Sequence, residues 1–214
     1  MTAPVKRGYR SHLRAAQAVE TRRRIVASAA RLFVEQGYGT TTVDAVAEAA
    51  GVSRKTVFTA VGSKLDLLTT AVDWAVAGDD EPVSLADRTT MRQLLQQRDP
   101  GILLTGLAHS FTAISVRVAP LYGALEAAAG TDHGARAVLE QSHRRRLRDA
   151  RRVAERLRDL DALTGDLTYE EAVDLVWLAM DPALFDRLVR MRGWAAERFE
   201  EWLAEDLCRR LLGG

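Results

Sequence analysis

The stretch TTVDAVAEAAGVSRKTVFTAVGSK, Thr41 to Lys64, decides the fold. It predicts a short helix from about Val43 to Ala50, a break at Gly51, and a second short helix opening at Ser53. Two helices crossing steeply through a tight turn need a small residue at the crossing, a turn residue that tolerates positive φ, and apolar filling inside the corner. Ala47 is the small residue, Gly51 the turn, and Val46, Ala50, Val52 and Val57 the filling. Ser53 can cap the second helix, because its hydroxyl accepts from an otherwise unpaired backbone N–H. Arg54, Lys55, Thr56 and Thr59 point away from the corner near the start of that helix. Donors in that position are what a helix reading the major groove requires. Ser63-Lys64 opens a further helix, whose first N–H groups and the Lys64 ammonium can hold a phosphate oxygen. A generic helical hairpin with a polar face is the alternative. It does not require small residue, glycine, cap, filling and basic face to coincide.

Charge points the same way. The chain has 214 residues and a formal net charge of +1, but the two signs are segregated. Residues 1–64 carry eleven Lys or Arg against four acids, and the remaining 150 residues carry 19 basic against 25 acidic. A +7 segment followed by a −6 segment suggests that the basic part meets a polyanion. The apolar content of 47% excludes a disordered chain. No apolar run approaches the ~18 residues of a membrane span, and Lys6, Arg7, Arg10 and Arg14 have no apolar stretch behind them. A cytoplasmic protein with no membrane contact is expected. The single cysteine, Cys208, leaves no internal disulfide and no cysteine-based zinc site.

Elsewhere the sequence predicts roughly nine or ten helices and no convincing strand. The five prolines are expected at breaks between helices. Asp99-Pro100 and Asp181-Pro182 read as helix starts, and Ser63/Asp66, Ser84/Asp87 and Thr168/Glu171 as capping boxes. Gly37, Gly51, Gly78, Gly130 and Gly193 are placed as helix stops. Three divisions follow: a flexible basic arm over 1–18, a helix-turn-helix domain over 19–64, and a helical domain over 65–214. The first helix, from about Ala16, should bury Ile25, Ala29, Leu32 and Phe33. The nine arginines between Arg136 and Arg158 read as a solvated helix face, with an anionic effector or a phosphate contact as the alternative. The segment from Ala172 to Met180 has Asp174 as its only polar residue and should be buried nearly all round. With the last helix it supplies a two-fold interface, for which Val173, Val176, Trp177, Met180, Phe199, Trp202, Leu203 and Leu207 are the candidates.

These residues resemble a known family. TRRRIVASAARLFVEQGYGTTTV, from Thr21, together with SRKTVFTAVGSK, from Ser53, is similar to the N-terminal domain of the TetR (tetracycline-repressor-like) transcriptional regulators over about Thr21 to Leu68. TYEEAVDLVWLAMDPALFDRLVRMRGWAAERFEEWL, from Thr168, resembles C-terminal segments of that family more weakly. The resemblance implies an all-α fold: a three-helix, helix-turn-helix DNA-binding domain joined to a larger helical ligand-binding and dimerisation domain. It implies a DNA-binding set matching Thr41, Thr42, Ser53, Arg54, Lys55, Thr56, Phe58, Thr59 and Lys64. The family usually has an aromatic hydroxyl where this chain has Phe58 and His-Phe where it has Ala60-Val61, so two backbone contacts are weakened here.

The resulting expectation is a homodimeric repressor of a palindromic operator on double-stranded DNA, released by an unidentified small-molecule effector. Pocket candidates are Trp74, Met91, His109, Phe111 and Tyr122. The rivals are an effector-independent regulator controlled by a protein partner or by abundance, and a cytoplasmic helical enzyme. Against the enzyme stand the lack of a nucleophile with a nearby base, of a Gly-rich phosphate loop and of paired carboxylates. No catalytic residue, metal or cofactor is expected, the four histidines sharing no ligand spacing.

Overall fold

The computed structural model describes residues 5–80 and 89–213, and ten helices account for most of them. The chain divides into two compact units, residues 1–73 and 74–214. The division falls within the fourth helix, nine residues beyond the expected boundary after residue 64.

The first unit begins with α1, Val5–Gln36. Residues 5–18 therefore continue this helix, where the sequence reading predicts an arm. No Gly or Pro lies between Tyr9 and Gln36, and Arg, Ala and Gln extend a nucleated helix readily. The predicted stripe of Ile25, Ala29, Leu32 and Phe33 is buried, with Val26 beside it. α1 stops at Gly37, whose φ of 81° lies in the left-handed region. α2 (Val43–Ala49) and α3 (Arg54–Ala60) form the corner, each opened by a side-chain cap. The Thr42 hydroxyl accepts from the N–H of Ala45 at 3.1 Å, and that of Ser53 from Thr56 at 3.1 Å. Gly51 turns the chain at φ 65° while its N–H donates to Glu48 O and the Val52 N–H donates to Ala47 O. This paired pattern is the Schellman motif, and it satisfies the Ala47 and Glu48 carbonyls at the end of α2. Val46, Ala47, Ala50 and Val57 are buried in the corner and Val52 half-buried, as their roles require.

α4, Lys64–Ala77, opens on the reciprocal Ser63–Asp66 box: Ser63 N–H and O–H both reach Asp66 Oδ2 at 2.7 Å. These hydrogen bonds hold the Asp66 carboxyl below its usual pKa.

The second unit is organised on α6, Pro100–Ala129, which packs against α5 (Thr89–Leu95), α7 (His133–Asp159), α9 (Pro182–Phe185) and α10 (Ala196–Leu212). Asp99 caps α6 through Gly101 and Ile102, with Pro100 at its first position. By length and composition α6 could cross a membrane, contrary to the sequence expectation, but it lies in a core that buries Leu103, Leu104, Leu107, Phe111 and Leu125. Pro120 lies inside α6, so one of the five prolines does not mark a break. α8, Tyr169–Ala179, packs on α7 and α10 and begins with the Thr168–Glu171 capping box. After α9 the chain makes a π-helical turn, Asp186–Met191. The predicted Ser84/Asp87 box lies outside the described residues, as do Pro4 and Pro82.

Two expectations for the second unit need correction. α8 is not buried all round: Leu178 is 54% exposed, with Leu175 and Trp177 half-buried. Of the eight interface candidates, Val173, Val176, Met180, Phe199, Leu203 and Leu207 are core residues of the single chain, packed with Leu104, Phe111 and Leu157. Only Trp177 and Trp202 are partly exposed. Apolar periodicity marks a face that must be covered, and here the chain's own helices cover most of it.

Candidate nucleic-acid interface

The corner fixes α3 from one side. Val57 is fully buried, so Arg54, Lys55, Phe58 and Thr59 face outward. Arg54 Nη1 lies 2.7 Å from Asp44 Oδ2 on α2, and its guanidinium sits over the Phe58 ring at 5.6 Å. The expected base-reading arginine is thus pre-oriented by a carboxylate and an aromatic face. Both members of the ion pair are exposed, so it holds direction at a cost of under about 1 kcal/mol to break. Phe58 is 45% exposed and is not core. The Thr59 hydroxyl donates to Lys55 O at 2.8 Å, leaving its lone pairs outward. Ser53 and Thr56 share a hydroxyl–hydroxyl bond of 2.8 Å at the helix start, which partly occupies both.

Thr42 and Lys64 flank this face within the same unit. Thr42 Oγ1 accepts from Ala45 as the cap, so its own O–H remains able to donate to phosphate. The Lys64 ammonium donates to Gly39 O at 3.2 Å and lies 4.3 Å above the Tyr38 ring. These contacts tie the start of α4 to the turn after α1, a second role for Lys64 beyond the phosphate contact expected of it. Thr41 departs from the expected set. It is 1% exposed and its hydroxyl donates to Gly37 O at 2.8 Å and Leu32 O at 3.2 Å, so it clamps the end of α1 from inside.

Two features of this surface escape sequence reasoning. Asp44, which steers Arg54, is visible there only as an acid in the first turn of α2. The other is a groove of about 550 Å³ between α1 and α3, lined by Gln17, Ala18, Val19, Thr21 and Arg22 with Thr56, Thr59 and Ala60.

The five pocket candidates stand in different surroundings. Met91 and Phe111 are buried in the main core cluster, and Tyr122 packs against Arg146. His109 is exposed and pairs with Glu200 at 2.9 Å, and Trp74 is half-buried. Seven of the nine arginines of α7 are exposed, as the expected solvated face requires, and Arg146 and Arg156 depart from it. Arg146 is buried, 2.8 Å from Asp181, stacked over Trp177 at 4.9 Å and near Tyr122 at 5.9 Å. Arg156 donates to Gln97 O at 2.7 Å and Arg136 to Ala129 O at 3.1 Å. Burial raises the Tyr122 hydroxyl above its ordinary pKa, while burial and then Arg146 lower that of His143.

Residues 25–71 match the family described as "Bacterial regulatory proteins, tetR family". Solved structures share the fold across most of the chain. The fatty acid degradation regulator FadR of Bacillus halodurans is 16% identical with a TM-score of 0.71, over 91% of this chain and 95% of that one. NalD of Pseudomonas aeruginosa, the secondary repressor of the MexAB-OprM multidrug efflux pump, is 18% identical with a TM-score of 0.67, over 91% and 98%. SmeT, the repressor of the Stenotrophomonas maltophilia multidrug efflux pump SmeDEF, is 19% identical with a TM-score of 0.62, over 89% and 90%. No curated protein matches the chain in sequence.

Proposed function

We propose that the chain, whose residues 25–71 match the tetR family of bacterial regulatory proteins, is a homodimeric cytoplasmic repressor, not an enzyme, that reads a palindromic operator and is released by a small molecule. The carrying observation is the outward row of Arg54, Lys55, Phe58 and Thr59 on a helix whose inner side is locked by Val57 in the Gly51 corner. Arg54 and Lys55 read base edges in the major groove. Thr42 and Lys64 hold phosphates on either side and set the register. Thr41 has no direct role.

Dimerisation gives two reading helices about 34–36 Å apart, entering successive major grooves. The exposed apolar face of α8 around Leu178, with Trp177 and Trp202 partly open, is the surface that pairs. Repression is proposed by analogy with NalD and SmeT, which are named as repressors of efflux pumps. A small molecule bound among the helices of the second unit favours a conformer with a different spacing of the reading helices. To lower DNA affinity tenfold it must prefer that conformer by about 1.4 kcal/mol. The test is to screen compounds against the protein–operator complex, following Trp fluorescence and operator release. Release by at least one compound class supports effector control, and failure of every class favours control by abundance or a protein partner.

A further inference from the structure

We propose that Asp44 is a specificity-determining residue: beyond aiming Arg54, its carboxylate cancels that residue's charge toward the phosphate backbone, weakening the grip on random duplexes while sparing the operator. This deepens the function proposed above and rests on it. Arg54 Nη1 lies 2.7 Å from Asp44 Oδ2, with 59% of the arginine side chain and 62% of the aspartate side chain exposed. The pair therefore lies on the open surface of the corner, outside its core. Asp44 stands two residues after the Thr42 cap, in the first turn of α2, and Arg54 opens α3. The carboxylate thus sits beside both the proposed phosphate contact of Thr42 and the proposed base contact of Arg54. Lys64 is placed differently. Its ammonium donates to a neutral carbonyl, Gly39 O at 3.2 Å, and stands over the Tyr38 ring, so its full charge is available to phosphate.

Random and specific DNA draw on different properties of Arg54. Binding to random sequence rests on net charge, because each neutralised phosphate releases counterions. An Arg54 that stays on Asp44 brings no net charge to a phosphate. One that leaves Asp44 bares a carboxylate in the field of the same backbone, and the gain is again offset. Reading a guanine edge rests instead on the direction of N–H donors. Asp44 holds Nη1, and Nη2 and Nε remain for the two acceptors of the base. The carboxylate thus removes one cationic contact per protomer from the random complex and takes little from the operator complex. Glu48 is the contrasting acid: it is exposed one turn further along α2, outside the pair.

The test titrates the full-length protein and its Asp44→Asn and Glu48→Gln variants, each with and without Arg54→Ala, across a range of salt. The probes are an operator selected from random duplexes and a duplex that lacks it. Asp44→Asn keeps the size of the side chain and an acceptor for Arg54 while removing the charge. It should bind the random duplex roughly tenfold more tightly, with a salt slope steeper by about 0.9 for each protomer. The gain on the operator should be much smaller, so that the ratio of operator to random affinity falls roughly fivefold. In the Arg54→Ala background the same substitution should leave that ratio unchanged, and Glu48→Gln should leave it unchanged in both backgrounds. Equal tightening on the two duplexes overturns the inference, as does a fall in the ratio that Glu48→Gln reproduces or that persists in full without Arg54. A wild-type protein that prefers its operator, with an Asp44→Asn variant that matches it on both duplexes, overturns this inference alone. A wild-type protein that prefers no sequence overturns the proposed function, and this inference with it.

Discussion

The guanidinium of Arg54 and the carboxylate of Asp44 meet at 2.7 Å, joining the two helices of the corner across its solvent face. The pair aims the donor fork of α3 before any ligand arrives, and because both groups are exposed it yields to a better acceptor. Arg54→Ala should therefore cost about 1–3 kcal/mol on the operator and relax preference at the base it reads. Lys64→Ala should weaken specific and random DNA about equally. Competition titrations with operator and random duplex separate the two. An equal loss on both duplexes for Arg54→Ala contradicts base reading.

Phe58 presents a half-exposed ring at a position where the family resemblance implies an aromatic hydroxyl on phosphate. Phe58→Tyr should tighten binding to all duplexes by roughly 1.5 kcal/mol, the worth of a hydrogen bond to a charged group. Affinity at fixed salt is the measurement, and unchanged affinity argues that the ring points away from the backbone.

Leu178 is the most exposed apolar residue of α8. Leu178→Glu should leave the fold intact and convert the proposed dimer to monomers, since a carboxylate facing its two-fold mate is repelled and desolvated. Sedimentation velocity reads the outcome, and a variant that remains dimeric moves the interface elsewhere.

Arg146, with 7% of its side chain exposed, depends on Asp181 for its counter-charge. Asp181 also caps α9 through the Ala183 N–H at 3.0 Å. Asp181→Ala should cost about 3–5 kcal/mol of folding stability, because it strands a buried cation. Arg146→Met should cost less, since the remaining carboxylate is part-exposed and the thioether fills the space over Trp177. Denaturant midpoints of the two variants decide the order.

His143 gives the second unit an acid sensitivity. Burial, then Arg146, hold its folded pKa below the ordinary 6.5. The unfolded chain thus binds more protons between the two values, so this contribution is complete above about pH 6.5 and is lost as pH falls. Glu126 acts with the opposite sign: burial and Asp181 raise its pKa above 4.5, and its contribution fades as pH rises through the raised value. Comparing wild type with His143→Gln cancels that second effect. The stability difference should shrink from pH 7.5 to pH 5.5, and a constant difference excludes the histidine.

What is legible in the sequence is what is local. Thr42, Ser53, Asp99, Thr168 and Asp181 cap helices through N–H groups two or three residues away, and the Gly51 corner is closed by its immediate neighbours. Long-range partnerships leave no trace there. Asp44 meets Arg54 ten residues on, Thr41 reaches back to Leu32, and Arg146 finds Asp181 35 residues later. Periodicity shows that Val176 and Leu203 must be covered, but not that their own chain covers them. Residues 5–18 read as an arm although their Arg, Ala and Gln favour helix, and they continue α1.

The central claim is that α3 reads duplex DNA as one of a symmetric pair. Selecting bound sites from a random duplex library at moderate salt tests it most directly. The account predicts an enriched inverted repeat whose half-site centres lie about one helical turn apart, with Arg54→Ala altering the enriched bases within each half-site. A library that emerges unenriched, or enriched for a single site without symmetry, contradicts it.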